Sequence, residues 1–240
     1  MFDLGNFTLH DMSRLGRSLR QLGDGAHSMQ EVADRVVRYL YENLSDARGA
    51  RCCALVRFFK THPYLGLDQG LRAFADGMLR DTPQPDLKCL TLLATAGDEP
   101  AWNSPEASVA HRAIPLVIPE IVSKAPMISS LLQQLGVELE LLLNSKSEFM
   151  VEEEQSSFNV FYIPDARGSP HIPAQEDFVR PARVHSVLGF GGTLPRGDIF
   201  VVILFTKTPI PRETAEMFRT LALNIKLSVL PFDGAVFAPP

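Results

Sequence analysis

The sequence predicts an α+β fold in which helices pack on one face of an antiparallel sheet. Apolar residues recur every three or four positions near both ends of the chain, which indicates two amphipathic helices. Five apolar or alternating runs lie between them and are typical of strands. The run Ile199 to Phe205 is apolar at every position, so we expect it to form a central strand buried on both faces.

Composition narrows the class of protein. The chain has 240 residues, 45% of them hydrophobic, and a net charge of −5, which suits a globular domain with a substantial core. The acidic balance and the lack of a Lys/Arg cluster disfavour a nucleic-acid partner. The longest apolar run is about a third of the ~20 residues that span a bilayer, so no membrane span is predicted. Three cysteines, two of them adjacent, indicate a reducing compartment, and we expect a cytoplasmic location.

Residues 1–26 are rich in glycine, aspartate and arginine and are predicted to form a flexible N-terminal arm. A single domain is predicted over residues 27–232, followed by a C-terminal tail over residues 233–240. The domain begins with a helix from Met29 to Leu44, and Ser28 with Glu31 has the form of a capping box. The next elements are a strand over 52–60 that Arg57 interrupts, a short helix over 67–79 and a strand over 87–96.

The middle of the chain is harder to interpret, because prolines interrupt every period between residues 101 and 119. Helical turns are predicted over 121–135, residues 137–143 fit a strand or a helix, and the run 152–154 is a solvated acidic face. A strand over 158–163 and a polar loop over 165–173 precede a short helix over 176–184. A hairpin of strands 186–190 and 198–206 follows. The last element alternates like a strand, but its Ala, Leu and Lys content and Pro211 in the first turn favour a helix over 211–230.

Several segments resemble a GAF-type sensor domain: Leu90–Gly97, Ser186–Gly192, Ile199–Phe205 and Thr220–Leu223. The stretch from about Ala54 to Phe232 is similar to the module at the input end of bacterial sensor histidine kinases. The resemblance implies a sheet with helices on one face and a ligand pocket on the other, beneath the irregular middle segment. It also implies dimerisation through the terminal helices and an output kinase or other signalling partner. The signatures of the cyclic-nucleotide, bilin and methionine-sulfoxide subclasses are not visible, so the resemblance names no ligand.

Six residues are candidates for the ligand site, because pockets are mostly apolar with a few placed polar groups: Trp102, His111, Asn159, Phe161, His171 and His185. The loop holding His171 and the strand start at His185 are expected to approach one rim of the pocket, and imidazoles there would make binding sensitive to pH. One histidine suffices as a proximal haem ligand, so haem stays open and the cofactor unknown. No CxxC, HxH or HxxxH spacing suggests a metal site, and no catalytic residue is assigned.

The leading functional hypothesis is a non-catalytic signal-sensing input module that binds a small ligand or a partner protein. It would signal through its terminal helices. One alternative is a thiol-based reductase that uses Cys53 and Cys89, and another is a purely structural dimerisation module. A homodimer through residues 28–44 and 211–230 is predicted, because Leu223, Leu227 and Leu230 lie off the stripe that should cover the sheet.

Overall fold

The computed structural model describes residues 1–79, 82–109, 111–117, 127–128, 131 and 160–237. Within these residues the helices and strands follow the order β1 (Phe2–Asp3), α1 (Leu9–Gln21), α2 (Met29–Asn43), β2 (Leu44–Ser45), β3 (Cys53–Pro63), α3 (Gln69–Asp76), β4 (Lys88–Gly97), β5 (Ala113–Pro115), β6 (Val160–Ile163), β7 (Ser186–Thr193), β8 (Ile199–Thr206) and α4 (Arg212–Val229). The predicted helix over 176–184 is a single π-helical turn, Gln175–Val179. The predictions over 121–135, 137–143 and 152–154 fall wholly or mostly outside the described residues.

The main sheet has six described strands in the order β5-β4-β3-β8-β7-β6, and every neighbouring pair is antiparallel. Strands β3 and β8 lie at the centre, so the predicted central strand over Ile199 to Phe205 is confirmed. All eight residues of β8 are buried, which explains why polar residues do not alternate along it. A second, two-stranded sheet pairs β1 with β2 in parallel.

The two faces of the main sheet differ in what covers them. The larger core joins side chains of α1, α2 and α4 to residues such as Phe58, Phe190 and Phe200, and we call this side the helix face. Helix α3 packs against Cys89 and Ala113 at the β4–β5 edge. The opposite side, called the second face, carries a separate core that includes Phe59, Phe161 and Ile203. The α+β prediction, with helices on one face of an antiparallel sheet, is confirmed.

The start of α2 follows its predicted capping signal in part. Ser28 Oγ accepts a hydrogen bond from the Glu31 amide at 3.1 Å, as a capping box requires. The Glu31 carboxylate, however, accepts from the His27 amide at 2.9 Å, one residue earlier than the motif predicts. The amides of Met29 and Gln30 donate to the carbonyls of residues 235 and 236, so the end of the chain satisfies the first turn of α2.

Residues 1–26, predicted as a flexible arm, contain α1 and pack on the helix face. Leu15 and Leu19 are fully buried in the larger core, and Arg20 Nη2 donates to Asn224 Oδ1 of α4 at 2.9 Å. A Cβ added to Gly16 would lie 2.8 Å from Asn224, and one added to Gly23 would lie 2.5 Å from the Ser228 carbonyl oxygen. The glycines therefore permit the close approach of α1 to α4.

A buried ion cluster joins β3, β4 and the turn before β8. Lys60 is 1% exposed, and its Nζ lies 2.7 Å from Asp198 Oδ2 and 2.9 Å from the Thr61 carbonyl oxygen. Lys88 Nζ lies 3.3 Å from Asp198 Oδ1, and Thr61 Oγ1 donates to the same oxygen. Burial acts to raise the pKa of Asp198, but the charges of Lys60 and Lys88 and their hydrogen bonds outweigh it, so the pKa is lowered.

Candidate functional site

A cavity of about 450 Å³ opens at the end of the sheet where β4 and β8 finish. Its described lining comprises Asp98, Glu99, Trp102, Asp177, Phe178, Pro181, Ala182, Arg183 and Lys207. We call it the Trp102 pocket. Residues 98–102 come from the turn after β4, Lys207 follows β8, and the remainder belong to the π-helical turn and the loop that leads to β7. Three separate parts of the chain thus build the described lining of the pocket.

The apolar wall of the Trp102 pocket is a row of aromatic rings. The rings of Trp102 and Phe178 meet edge to face with centroids 5.5 Å apart, and Phe178 meets Phe205 of β8 in the same way at 5.0 Å. Trp102 lies against Gly97, where an added Cβ would be 2.9 Å from the indole Cε3. Thr95 Oγ1 donates to the Trp102 carbonyl at 2.9 Å, which holds the turn against β4. The sheet therefore fixes the position of this wall.

Charges of both signs surround this wall. Asp98 accepts a hydrogen bond from Tyr41 Oη at 2.7 Å and lies 3.0 Å from Lys207 Nζ. Burial, and then the hydrogen bond to Asp98, raise the pKa of Tyr41 to about 12, so this phenol stays protonated. Among the described residues, Glu99, Asp177 and Arg183 form no ion pair. The pocket thus offers two carboxylates and one guanidinium to a bound molecule.

A group of polar side chains also interrupts the apolar second face. Arg57 of β3 is paired across the sheet with Thr95 and Ile203, and its Nη2 donates to Ser108 Oγ at 3.2 Å. Burial lowers the pKa of Arg57 to about 10, so the guanidinium remains charged at neutral pH. Burial, and then the charge of Arg57, lower the pKa of His111 to about 4, so that imidazole is neutral. His111 has a φ of 61°, a left-handed conformation that is uncommon for residues other than glycine, although histidine adopts it more often than most.

Of the six residues predicted for the ligand site, Trp102 is the one found among the described lining of the pocket. Phe161 is fully buried in the core of the second face, and His111 belongs to the Arg57 group. His171 is half-buried in its loop. Asn159 lies outside the described residues. Of the five candidates that the structure describes, one therefore belongs to the described lining of this pocket and four lie outside that lining.

The backbone of His185 lies near the Trp102 pocket. Its amide donates to the Thr206 carbonyl at 2.6 Å, and the residue after Thr206 lines the pocket. Its Nδ1 lies 3.3 Å from Ser186 Oγ, which in turn donates to the Pro164 carbonyl. The ring is thus engaged at the start of β7, whereas Arg183, two residues earlier, reaches the pocket.

Sequence reasoning missed Phe178, Arg183 and Lys207 as pocket residues. Phe178 lies 76 positions after Trp102, and no periodicity links two residues of irregular segments. Arg183 has a φ of 55°, a conformation with no signal in its own residue type. Arg57 did carry a signal, since it is the one charged residue that interrupts an apolar strand pattern over residues 52–59.

The cysteines are buried and free, and they do not form a reactive pair. Cys89 lies opposite His62, nine residues further along β3 than Cys53, which is roughly 30 Å. The hydrogen bond to Cys52 and burial raise the pKa of Cys53, and burial raises that of Cys89 to about 12. Thiolate is the reactive form, so these environments suppress nucleophilic chemistry at both positions.

The described residues contain no group of three His, Cys, Asp or Glu side chains placed to hold a metal ion. In the same part of the chain, no helix has the length and apolar character needed to cross a membrane.

The chain matches no family model and no curated protein. Among solved structures, it is similar to the GAF domain of a phosphoenolpyruvate-protein phosphotransferase from Coxiella burnetii. The identity is 12% and the TM-score 0.46, over 92% of this chain and 93% of that one. It is also similar to the chromophore-binding domain of a bacteriophytochrome from R. palustris, with 8% identity, a TM-score of 0.42 and 95% of this chain covered.

A longer structure of a bacteriophytochrome from R. palustris has 10% identity, a TM-score of 0.45 and 96% of this chain covered. This chain spans 64% and 40% of the two bacteriophytochrome chains. A GAF domain, the class that the sequence resembles, is thus among these structural neighbours.

Proposed function

We propose that the protein is a non-catalytic sensory module that binds a small molecule in the Trp102 pocket. The observation that carries the proposal is the composition of that pocket: an edge-to-face aromatic pair, Trp102 and Phe178, flanked by unpaired charges of both signs. Ligand sites are mostly apolar and aromatic, with a few placed polar groups that fix orientation. A small polar molecule with a planar or apolar part fits this lining.

The geometry gives no support to the reductase alternative. A thiol-based reductase needs a thiolate and a resolving partner within reach. Cys53 and Cys89 are separated along β3, and their pKa values are raised. No nucleophile with an adjacent general base is found among the described lining of the pocket either.

The experiment is the analysis of small molecules that co-purify with the protein from its host. The wild type is compared with Trp102→Ala and with Asp177→Lys, which reverses an exposed rim charge without removing packing. Leu65→Ala is the matched control, because Leu65 is 62% exposed and outside the described lining. We expect a compound enriched with the wild type and the control but depleted with both pocket variants. Equal content in all four proteins would contradict the proposal.

The same compound is then returned to ligand-free protein while tryptophan fluorescence is recorded. Trp102 is the only tryptophan of the chain, so its emission reports on this pocket. We expect a saturable change in emission in the wild type and in Leu65→Ala, and no saturation in Asp177→Lys. An unchanged spectrum would place the ligand elsewhere.

In this proposal, ligand binding is signalled through a homodimer whose interface is formed by residues 28–44 and 211–230. Leu223 and Leu227 of α4 are 45% and 42% exposed, which supports this part of the proposal. Helix α1 already covers another side of α4, so the surface that remains for a partner is smaller than the sequence predicted. Sedimentation should show a dimer that Leu223→Glu converts to monomer. The signalling partner, the bacterial source and the cytoplasmic location stay predictions.

A further inference from the structure

Arg57 occupies an unusual position at the centre of the second face. It lies on β3, one of the two central strands, with Leu55 and Phe59 two residues away on either side. Its neighbours across the sheet are Thr95 and Ile203. Leu55, Phe59 and Ile203 belong to the buried core of this face, so a permanent cation replaces an apolar side chain there.

The guanidinium of Arg57 is not neutralised by the described part of the chain. Its Nη2 donates to Ser108 Oγ, a neutral acceptor, and its buried Nε has no hydrogen-bond partner. No carboxylate among the described residues forms an ion pair with it. Arg57 as a whole is half-buried, but its Nε is shielded from solvent and burial lowers the pKa of its guanidinium. Desolvating a charge that has no counter-charge is costly, and a bound anion would supply the missing negative charge.

The neighbouring segment adds donors to the same face. Arg112 immediately precedes β5 and lies two residues before Ile114, which belongs to the second-face core. Its carbonyl accepts a hydrogen bond from the Leu92 amide of β4 at 2.8 Å, so the extended pairing continues to Arg112 and alternation places it on the same face as Ile114. Arg112 Nε is likewise buried without a partner. His111 interacts electrostatically with Arg57 and is neutral, so its ring can donate one hydrogen bond without adding charge.

We propose that Arg57, with Ser108 and the adjacent His111 and Arg112, forms a binding site for the oxyanion of a small organic molecule. The guanidinium fork matches the geometry of a carboxylate or phosphate. Leu55, Phe59 and Ile203 around Arg57 favour an apolar body attached to that anion. The site shares no residue with the described lining of the Trp102 pocket, so its test does not depend on the function proposed above.

The test measures thermal unfolding of the full chain at neutral pH and constant ionic strength with four probes: phosphate, benzoate, benzamide and chloride. Benzoate and benzamide have the same shape and differ in charge. We expect phosphate or benzoate to raise the Tm of the wild type, and benzamide and chloride to leave it unchanged. Protection by phosphate alone identifies a phosphoryl ligand, whereas protection by benzoate identifies a carboxylate.

The variant Arg57→Met keeps an unbranched side chain as far as the Nε position and removes the charged guanidinium group. We expect the protective anion to bind it at least about tenfold more weakly than the wild type. Arg219→Met, at an exposed position of α4, is the matched control and should keep the full effect. Without any probe, Arg57→Met and Arg57→Gln should unfold at or above the wild-type Tm, because each removes a half-buried cation that has no counter-charge among the described residues.

Three results would overturn the proposal. The first is that neither phosphate nor benzoate protects the wild type. The second is that Arg57→Met is protected as well as the wild type. The third is a lower Tm for both Arg57→Met and Arg57→Gln without any probe, which would mean that the chain itself supplies the partner of Arg57.

Discussion

Asp198→Asn tests the buried ion cluster, and we expect it to destabilise the protein by about 3–5 kcal/mol. The substitution removes the counter-charge of Lys60, which is 1% exposed, and also that of the neighbouring Lys88. Breaking a buried pair is costly because the remaining charge keeps its desolvation penalty. Asparagine retains one oxygen that can accept from Thr61, so we place the effect at the lower end, about 3 kcal/mol.

The assay is urea unfolding followed by circular dichroism, with Asp34→Asn as the control. Asp34 makes an exposed ion pair with Arg38 one helical turn away, and such pairs contribute about 0.3–0.5 kcal/mol. The urea dependence of the unfolding free energy should be unchanged if only stability is altered. A loss in Asp198→Asn that is no larger than the loss in Asp34→Asn would refute the reasoning.

The double variant Lys60→Met/Asp198→Asn removes both charges of the closest pair. Because a neutral pair avoids the desolvation penalty of an unpaired Lys60, we expect the double variant to recover most of the stability that Asp198→Asn loses. The pH dependence provides a second check. The pKa of Asp198 is lowered in the folded protein, so its contribution is present above the unfolded pKa of about 3.9 and is lost as the pH falls through the folded value. Asp198→Asn should therefore flatten the acid limb of the stability curve.

Three further predictions concern single positions. Gly191→Ala should lower the free energy of unfolding in urea by at least about 3 kcal/mol, because the added Cβ would lie 2.0 Å from the Phe200 carbonyl oxygen. Gly168→Ala is the comparison: its φ is 68° but the space around it is open, so it should lower the same free energy by about 1 kcal/mol. His111 has a pKa of about 4, below its ordinary value near 6.5, so the unfolding free energy should fall as the pH drops between these values. In His111→Asn this slope should shrink, and an imidazole that NMR shows to titrate near its ordinary pKa would contradict the assignment. The three buried thiols should resist a disulfide reagent in the native protein and all react after denaturation, and fast native labelling of Cys89 would contradict its raised pKa.

Periodicity predicted the sheet and the two long helices well, because their apolar positions face one core. The final helix, predicted over 211–230, is Arg212–Val229, and the strand predicted over 87–96 is Lys88–Gly97. Strand β5 was missed because three residues are too short for a period. Helix α1 was missed because its glycines indicated flexibility, whereas Gly16 and Gly23 allow close contact with α4.

The candidate site was less accessible to sequence reasoning, because its residues are brought together by tertiary structure alone. Trp102 was found because an aromatic residue in an irregular segment is noticeable. Phe178 and Lys207 reach the same pocket from segments far along the chain. β4 and β8 both pair with β3 and end at the same edge of the sheet, and Phe178 packs against Phe205 of β8. Arg57 was visible as an interruption, but its lack of a partner is a property of the folded protein.

The packing of α1 against α4 has a consequence for how the protein is made. Arg20 and Asn224, which join these helices, are 204 residues apart in the chain. At a synthesis rate of about 5–20 residues per second, roughly 10–40 s pass between the synthesis of Arg20 in α1 and that of Asn224 in α4. During that time Leu15 and Leu19, fully buried at the end, lack the surface that covers them. The complete helix layer can therefore form only when α4 has emerged, and α1 remains without this part of its packing surface until then.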